Sequence, residues 1–242
     1  MKLLDTLKEL SKDSFYYGLS SVLSQLISLL LVPFYTRVLD PEIYGIILML
    51  SVIVTFIIPL GSLSLDGAFI RFYSFADEND KRIYFSTSLI LKCFGLFISS
   101  ILIFLLFDLI NQHLFDNNLN EFFIIYLVLM TSFEALSMLF FSLLRVKRQV
   151  KKIFYVNLIS LAVGLFFSIL LVLILKLGLN GAVIATLIGS SVKFIILSLM
   201  IIRLNSFKFS KILCKELINY SLPKIPHKIF AFFIMFSTTL FI

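Results

Sequence analysis

The sequence predicts an all-α, polytopic membrane helix bundle, and three observations carry that prediction. First, 60% of the 242 residues are hydrophobic and only 14% are charged. A soluble domain is about half apolar and about a quarter charged. The mean hydropathy is +1.06, so the surplus apolar surface has to face lipid. Second, apolar runs recur at roughly 14–36, 43–66, 83–108, 119–144, 153–176 and 179–203, and a seventh starts at 217. Each complete run approaches or exceeds the roughly 20 residues that cross a hydrocarbon layer of about 30 Å. Lipid offers no partner to bare backbone groups, so these runs must be helices. Third, the basic residues alternate sides. Lys2, Lys8, Lys12, Arg71, Lys81, Arg82, Arg145, Lys147, Arg148, Lys151, Lys152, Arg203, Lys208, Lys211 and Lys215 fall on one side, 15 of the 21 Lys and Arg. Arg37 and Lys176 fall on the other. That asymmetry makes the first side, and the N-terminus, cytoplasmic. It also accounts for the net charge of +7 without nucleic acid.

Taken in order, residues 1–13 place Leu3, Leu4, Leu7 and Leu10 at helical spacing among charges. They read as a short cytoplasmic interfacial helix or as a solvated terminus. The following run lacks a small-x-small cleavage site, so no cleavable signal is expected. Residues 14–216 form a six-helix lobe, and 217–242 begin a second lobe with an incomplete seventh helix.

The stretch Val32–Gly45 is a tight extracytoplasmic turn. Pro33 loosens the end of the first helix. Asp40, Pro41 and Glu42 mark the start of the second as N-cap, first helical residue and first-turn acid. Arg37 stands where basic residues are scarce. It either meets substrate during release or pins the turn by pairing with Asp40 or Glu42. Gly45 closes the turn. Pro59 offers a kink in span two.

At the inner end of span two lie Asp66 and Arg71, five apart and so poor helical neighbours, with Gly67 able to break the helix between them. Arg71 can fork onto phosphate oxygens or simply anchor at the interface.

Three charges fall inside spans: Lys92, Glu134 and Lys193. Each lies about ten residues from a cytoplasmic helix end, hence roughly 15 Å deep. They could converge on one cationic, water-filled site suited to an anionic headgroup. Alternatively, Glu134 pairs with one Lys to lower the cost of burial.

Small and polar residues form stripes at helical spacing: Ser20, Ser24, Ser28; Ser51, Thr55, Pro59, Ser62, Asp66; Asn157, Ser160, Gly164, Ser168; and Gly181, Ala185, Gly189, Lys193. Such faces either pack helices closely or line a polar path; the last is assigned to the cavity. Cys93 and Cys214 make no disulfide framework. With His113 and His227 they make no metal cluster, so neither metal nor cofactor is expected. Tyr17-Gly18-Leu19-Ser20 faintly echoes Tyr220-Ser221-Leu222-Pro223, as a parallel six-helix repeat would. Only 14 residues follow Lys228, with no polar cap, so the chain is expected to be the front part of a longer protein.

The pattern Pro33-x-x-Thr36-Arg37-x-Leu39-x-Pro41-x-x-Tyr44-Gly45 resembles the polysaccharide biosynthesis proteins. These are oligosaccharide-lipid flippases of the multidrug/oligosaccharidyl-lipid/polysaccharide exporter superfamily. The resemblance extends to Leu65–Tyr73, to the basic Arg145–Lys152 loop and to Tyr220–His227; Thr238-Thr239 stands where relatives often carry Asp-Arg. It implies the N-terminal lobe of a two-lobe transporter built around a cationic central cavity. By alternating access, such a transporter carries undecaprenyl-pyrophosphate-linked oligosaccharide across the bacterial cytoplasmic membrane for O-antigen, capsule or similar polysaccharide. Arg71, Asp66, Lys92, Glu134 and Lys193 would hold the pyrophosphate or sugar. Polysaccharide polymerase and glycosyltransferases of the same pathway would be partners, beside membrane lipids. The chain would then not be an enzyme.

Three alternatives stand beside this one. An ion-coupled multidrug exporter of the same superfamily would want carboxylates dominating its cavity. A membrane-embedded transferase would want a His/Asp pair or an acidic metal motif. The third is an inactive fragment.

Overall fold

A computed structural model describes residues 18, 19, 22, 25, 26, 29, 32–201 and 208–231. The expected interfacial helix at 1–13, Ser20, Ser24 and Ser28, and the end of the seventh helix with Thr238-Thr239 lie outside these residues. The described chain is all-helical, a polytopic membrane bundle. Helix α1 ends over residues 32–38. It is followed by α2 (Pro41–Gly61), α3 (Leu65–Phe75), α4 (Glu78–Leu114), α5 (Phe122–Val146), α6 (Val150–Ser168), α7 (Gly178–Ile201) and α8 (Lys211–Ser221). A further helix, α9, is under way over 224–231. Among the described residues, α2, α4, α5, α7 and the combined run Val150–Ile174 are long and apolar enough to cross a membrane.

The expected turn between the first two spans is present, but its details differ. The helix runs through Pro33 to Val38 and bends at Leu39. Pro41 opens α2 with Glu42 in its first turn, as the Asp-Pro-Glu signal requires. Arg37 is exposed. Among the described residues it pairs with neither Asp40 nor Glu42, so the pin lies elsewhere. Tyr35 and Leu39 are buried against Val172 and Ala182, with Phe34, Ile43 and Tyr44 around them. The Tyr35 hydroxyl shares a 2.6 Å hydrogen bond with Ser168 Oγ. Aromatic packing therefore fixes the turn, and Gly45 stands open with nothing near its Cα face.

Span two ends earlier than its apolar run. Pro59 sits in the last turn of α2 and, in place of a mid-span kink, the helix stops. Ser62 and Ser64 N–H groups donate to Ile58 and Pro59 carbonyls at 2.9 and 3.1 Å. Leu63 and Ser64 take φ of 49° each, a conformation costly for residues with a Cβ. The chain then starts a separate helix, α3, whose first turn contains Asp66. Gly67 does not break it: α3 runs unbroken from Leu65 to Phe75.

Helix α4 has 37 residues, about 55 Å at 1.5 Å per residue. It outruns its apolar centre at both ends. Glu78 and Asp80 sit at the start, where the helix dipole favours acids. At its far end the Asn111 side chain donates to the Leu119 carbonyl (2.8 Å) and accepts from the Leu119 N–H (3.1 Å). That clip ties α4 to the chain entering α5.

Contacts divide the chain into two compact units, Met1–Leu48 with Leu143–Ser198, and Met49–Ser142 with Leu199–Ile242. In the first, α6 and α7 meet through their small residues. A Cβ on Gly189 would sit 3.2 Å from the Ser160 carbonyl and 3.3 Å from Gly164 Cα. The Gly181–Ala185–Gly189 stripe is thus spent on close packing, leaving Lys193 one turn further on as its only charge. In the second unit, α3 packs on α4 and α8, and α8 on α4. Ser210 caps α8 by accepting from the Leu213 N–H. Its own N–H donates to Thr87 Oγ1 on α4 at 3.4 Å. The seventh apolar run, read from 217, is interrupted at Leu222-Pro223, because Pro lacks the N–H a continuing helix needs. Helix α9 resumes at Lys224, with Pro226 in its first turn, where a missing N–H is tolerated.

Candidate functional site

The second unit brings several of the sequence-predicted residues together. Lys92, on α4, is 0% exposed, and its Nζ lies 2.6 Å from Asp66 Oδ1. It also donates to the Ala135 carbonyl on α5 at 2.7 Å. Lys92 thus takes its carboxylate from Asp66 on α3. Glu134 is half-buried on α5, next to the residue whose carbonyl Lys92 grips. Lys193 belongs to the other unit.

The pairing has a local cause. Because the chain breaks at 62–64, Asp66 falls in the first turn of α3, where the helix dipole favours a carboxylate. No side chain caps that helix start. Ser62 and Ser88 are buried nearby in sequence terms, and their hydroxyls lack hydrogen-bond partners among the described residues. Ser88 lies one turn before Lys92, on the same face of α4.

Arg71 lies one turn after Gly67 on α3, so the two share a face. Its guanidinium carbon stands 4.8 Å from the centre of the Tyr220 ring. The Lys224 ammonium stands 3.6 Å from the same centre. Cations are attracted to a ring face, and here two of them share one ring. Lys224 Nζ also lies 3.6 Å from where a Gly67 Cβ would be; the glycine leaves room for it beside the start of α3. Among the described residues no carboxylate pairs with Arg71 or Lys224.

Aromatic packing supports this arrangement from beneath. Phe72 meets Tyr220 edge-on at 5.6 Å and stacks on Tyr84 at 6.1 Å. Tyr84 donates to Glu216 Oε2 at 2.7 Å, which ties α4 to α8. Lys92 is thus held by Asp66 at the start of α3, and one turn along Arg71 and Lys224 share the Tyr220 ring, with Phe72 and Tyr84 packed beside it. Chemically, Arg71 and Lys224 can take an anion, one as a fork-shaped donor and the other as a compact charge.

The electrostatics leave a signature on Tyr220. The Lys224 ammonium, and after it the Arg71 guanidinium, hold its phenol below the ordinary value of 10. The Lys224→Gln variant is expected to raise the Tyr220 titration midpoint, read by NMR of ring-labelled tyrosine with Tyr220→Phe to assign the signal. A folded-state value below the unfolded one favours the fold above pH 10, and that contribution fades as pH falls through the lowered value. An unmoved midpoint would mean that Lys224 is not beside the ring.

Tyr220 and Lys224 were not among the residues singled out for binding from the sequence. One signal was present: Tyr220 and Lys224 stand one four-residue step apart. The break at Pro223 hid it by placing them on two helices.

No curated protein matches this chain. A family model described as "Polysaccharide biosynthesis protein" matches residues 10–242, nearly the whole length, and the chain belongs to that family.

Proposed function

We propose that this chain takes part in moving undecaprenyl-pyrophosphate-linked oligosaccharide across the bacterial cytoplasmic membrane, with its N-terminus inside, for surface polysaccharide such as O-antigen or capsule. The observation that carries this reading is the pair of cations Arg71 and Lys224, which share the Tyr220 ring and, among the described residues, pair with no carboxylate. A pyrophosphate presents several oxygens and more than one negative charge. Arg71 can take two of those oxygens in parallel bonds, and Lys224 adds a point charge without geometric demand. The uncapped start of α3 adds its dipole in the same sense. Glu134 and Lys193 remain candidates for the sugar.

The role is transport by alternating access, with no bond made or broken by the protein. Polymerase and glycosyltransferases of the pathway are its expected neighbours. The family assignment supports a place in polysaccharide synthesis or export. An ion-coupled multidrug exporter would instead need carboxylates outnumbering cations, the reverse of this cluster.

The test is made in the native host, with the substitution Arg71→Glu placed at the chromosomal locus. Surface polysaccharide is expected to fall about ten-fold or more, the effect of losing one charge-assisted contact, while lipid-linked oligosaccharide accumulates inside. Unchanged surface polysaccharide at unchanged protein level would overturn the proposal.

A further inference from the structure

We infer that Tyr35 latches one end of the span Val150–Ile174 in a strained helical register, and that this end is a switch between two registers coupled to the turn between α1 and α2. Every residue involved lies in the unit formed by 1–48 and 143–198, so the inference does not draw on the Arg71–Lys224 site. The run Val150–Ile174 is long and apolar enough to cross a membrane, but its winding changes part-way. Up to Ser168 it is an α-helix. Over Ile169–Ile174 it is a π-helix of 6 residues, in which each N–H reaches back five residues and not four. The π winding is rare, so neighbouring contacts have to hold it here.

Three contacts do so. Val172 is fully buried, in one cluster with Tyr35, Leu39 and Ala182. The Leu171 carbonyl lies 3.0 Å from where a Cβ on Gly181 would stand, so α7 approaches the π segment down to the backbone. The Tyr35 and Ser168 hydroxyls share their buried 2.6 Å hydrogen bond at the last α-helical residue before the change. A serine inside a helix commonly turns its hydroxyl onto the carbonyl four residues back, as Ser160 does to Val156 at 2.8 Å. Ser168 turns to Tyr35 instead.

The second register follows from geometry. A π turn carries roughly one residue more than an α turn. Continuing the α winding past Ser168 would rotate the following side chains by up to one residue position, about 100°. Leu171 would then move toward the place of Val172, and the surplus residue would pass into the link to α7. That link is itself strained. Lys176 takes a φ of 50° where a helix end usually has glycine, and the Leu177 N–H closes back onto the Leu171 carbonyl at 3.0 Å. The α register relieves the winding but gives up the Val172 packing and the Tyr35 bond. Tyr35 and Leu39 flank the turn into α2, so a movement of that turn and a change of register bring each other about, as in other bistable packed elements.

The experiment is disulfide trapping in the purified full chain in nanodiscs, with the free cysteines removed as Cys93→Ser and Cys214→Ser. Two pairs are compared, Leu39→Cys with Val172→Cys for the π register and Leu39→Cys with Leu171→Cys for the α register. With Tyr35 present the first pair is expected to cross-link faster. Tyr35→Phe is expected to shift the ratio of the two rates roughly two- to ten-fold toward the second pair, the effect of losing one hydrogen bond. Ser168→Ala removes the same bond from the other side and should reproduce the shift, so a poorly folded Tyr35→Phe does not decide the matter. Tyr44→Phe, whose ring lies 6.4 Å from that of Tyr35, should leave the ratio unchanged. An unchanged ratio in Tyr35→Phe and Ser168→Ala, or an equal slowing of both pairs, which marks simple loosening, overturns the inference.

Discussion

Asp66→Asn is expected to destabilise the protein by about 3 kcal/mol or more, the cost of removing one partner from a buried ion pair. Lys92 has no exposed surface, so its ammonium cannot reach solvent when the carboxylate at 2.6 Å is gone. The Ala135 carbonyl remains as an acceptor but brings no charge. Lys92→Met is expected to cost less. Asp66 keeps 17% of its side-chain surface exposed and sits in the first turn of α3, where the dipole partly offsets its charge. The double variant Asp66→Asn/Lys92→Met should regain most of the stability, since apolar replacements of buried pairs are often neutral or better. Unfolding in mixed micelles reads all three. Equal stability of Asp66→Asn and wild type would show that Lys92 is not held by Asp66.

Gly95→Ala is expected to cost about 2 kcal/mol, within the range for forcing an extra carbon into a packed contact, and Gly95→Leu to prevent folding. The obstacle is backbone: the new Cβ meets the Gly61 carbonyl at 2.4 Å, so one helix must move. Gly61→Ala should cost less, because its Cβ meets the Ser99 hydroxyl at 2.7 Å, and a hydroxyl can rotate. Adding Ser99→Ala should recover much of that smaller loss. Gly45→Ala is the control. Nothing lies near that position, and alanine favours a helix over glycine by roughly 0.5–1 kcal/mol, so it should be neutral or slightly stabilising. Thermal melts of the four variants order them; Gly95→Ala melting with Gly45→Ala would contradict the backbone contact.

Hydropathy located the helices well, because crossing lipid imposes a length that composition reveals directly. Asp40-Pro41-Glu42 fixed the start of α2 for an equally local reason. Hydropathy failed where the backbone turns without losing apolar character. Leu63 and Leu65 continue the run of span two, yet the chain breaks between them at left-handed φ, on Leu63 and Ser64, neither of which is a glycine. That unseen break decides the site: it moves Asp66 from the end of one helix to the start of another, facing Lys92. The charges inside the spans were visible as a set, but a partner 26 residues away was not, since contact between helices has no sequence period. Arg71 was legible as a phosphate ligand by residue type. Its neighbours Tyr220 and Lys224 lie about 150 residues further on and meet it only because α8 packs on α3. The Gly164 stripe was legible as a close-packing face; the Gly181–Gly189 stripe, assigned to a cavity, packs closely too, with Gly189 against Ser160 and Gly164 of α6.

The most direct measurement is equilibrium binding of a long-chain prenyl pyrophosphate, beside its monophosphate, to the chain in nanodiscs. The cluster predicts that wild type prefers the pyrophosphate. It also predicts that Arg71→Gln/Lys224→Gln loses about ten-fold or more of that affinity, as expected when hydrogen bonds to charged groups worth about 1.5–3 kcal/mol are removed. Equal affinity for the two lipids, unchanged by the double variant, would contradict a pyrophosphate site at Arg71 and Lys224.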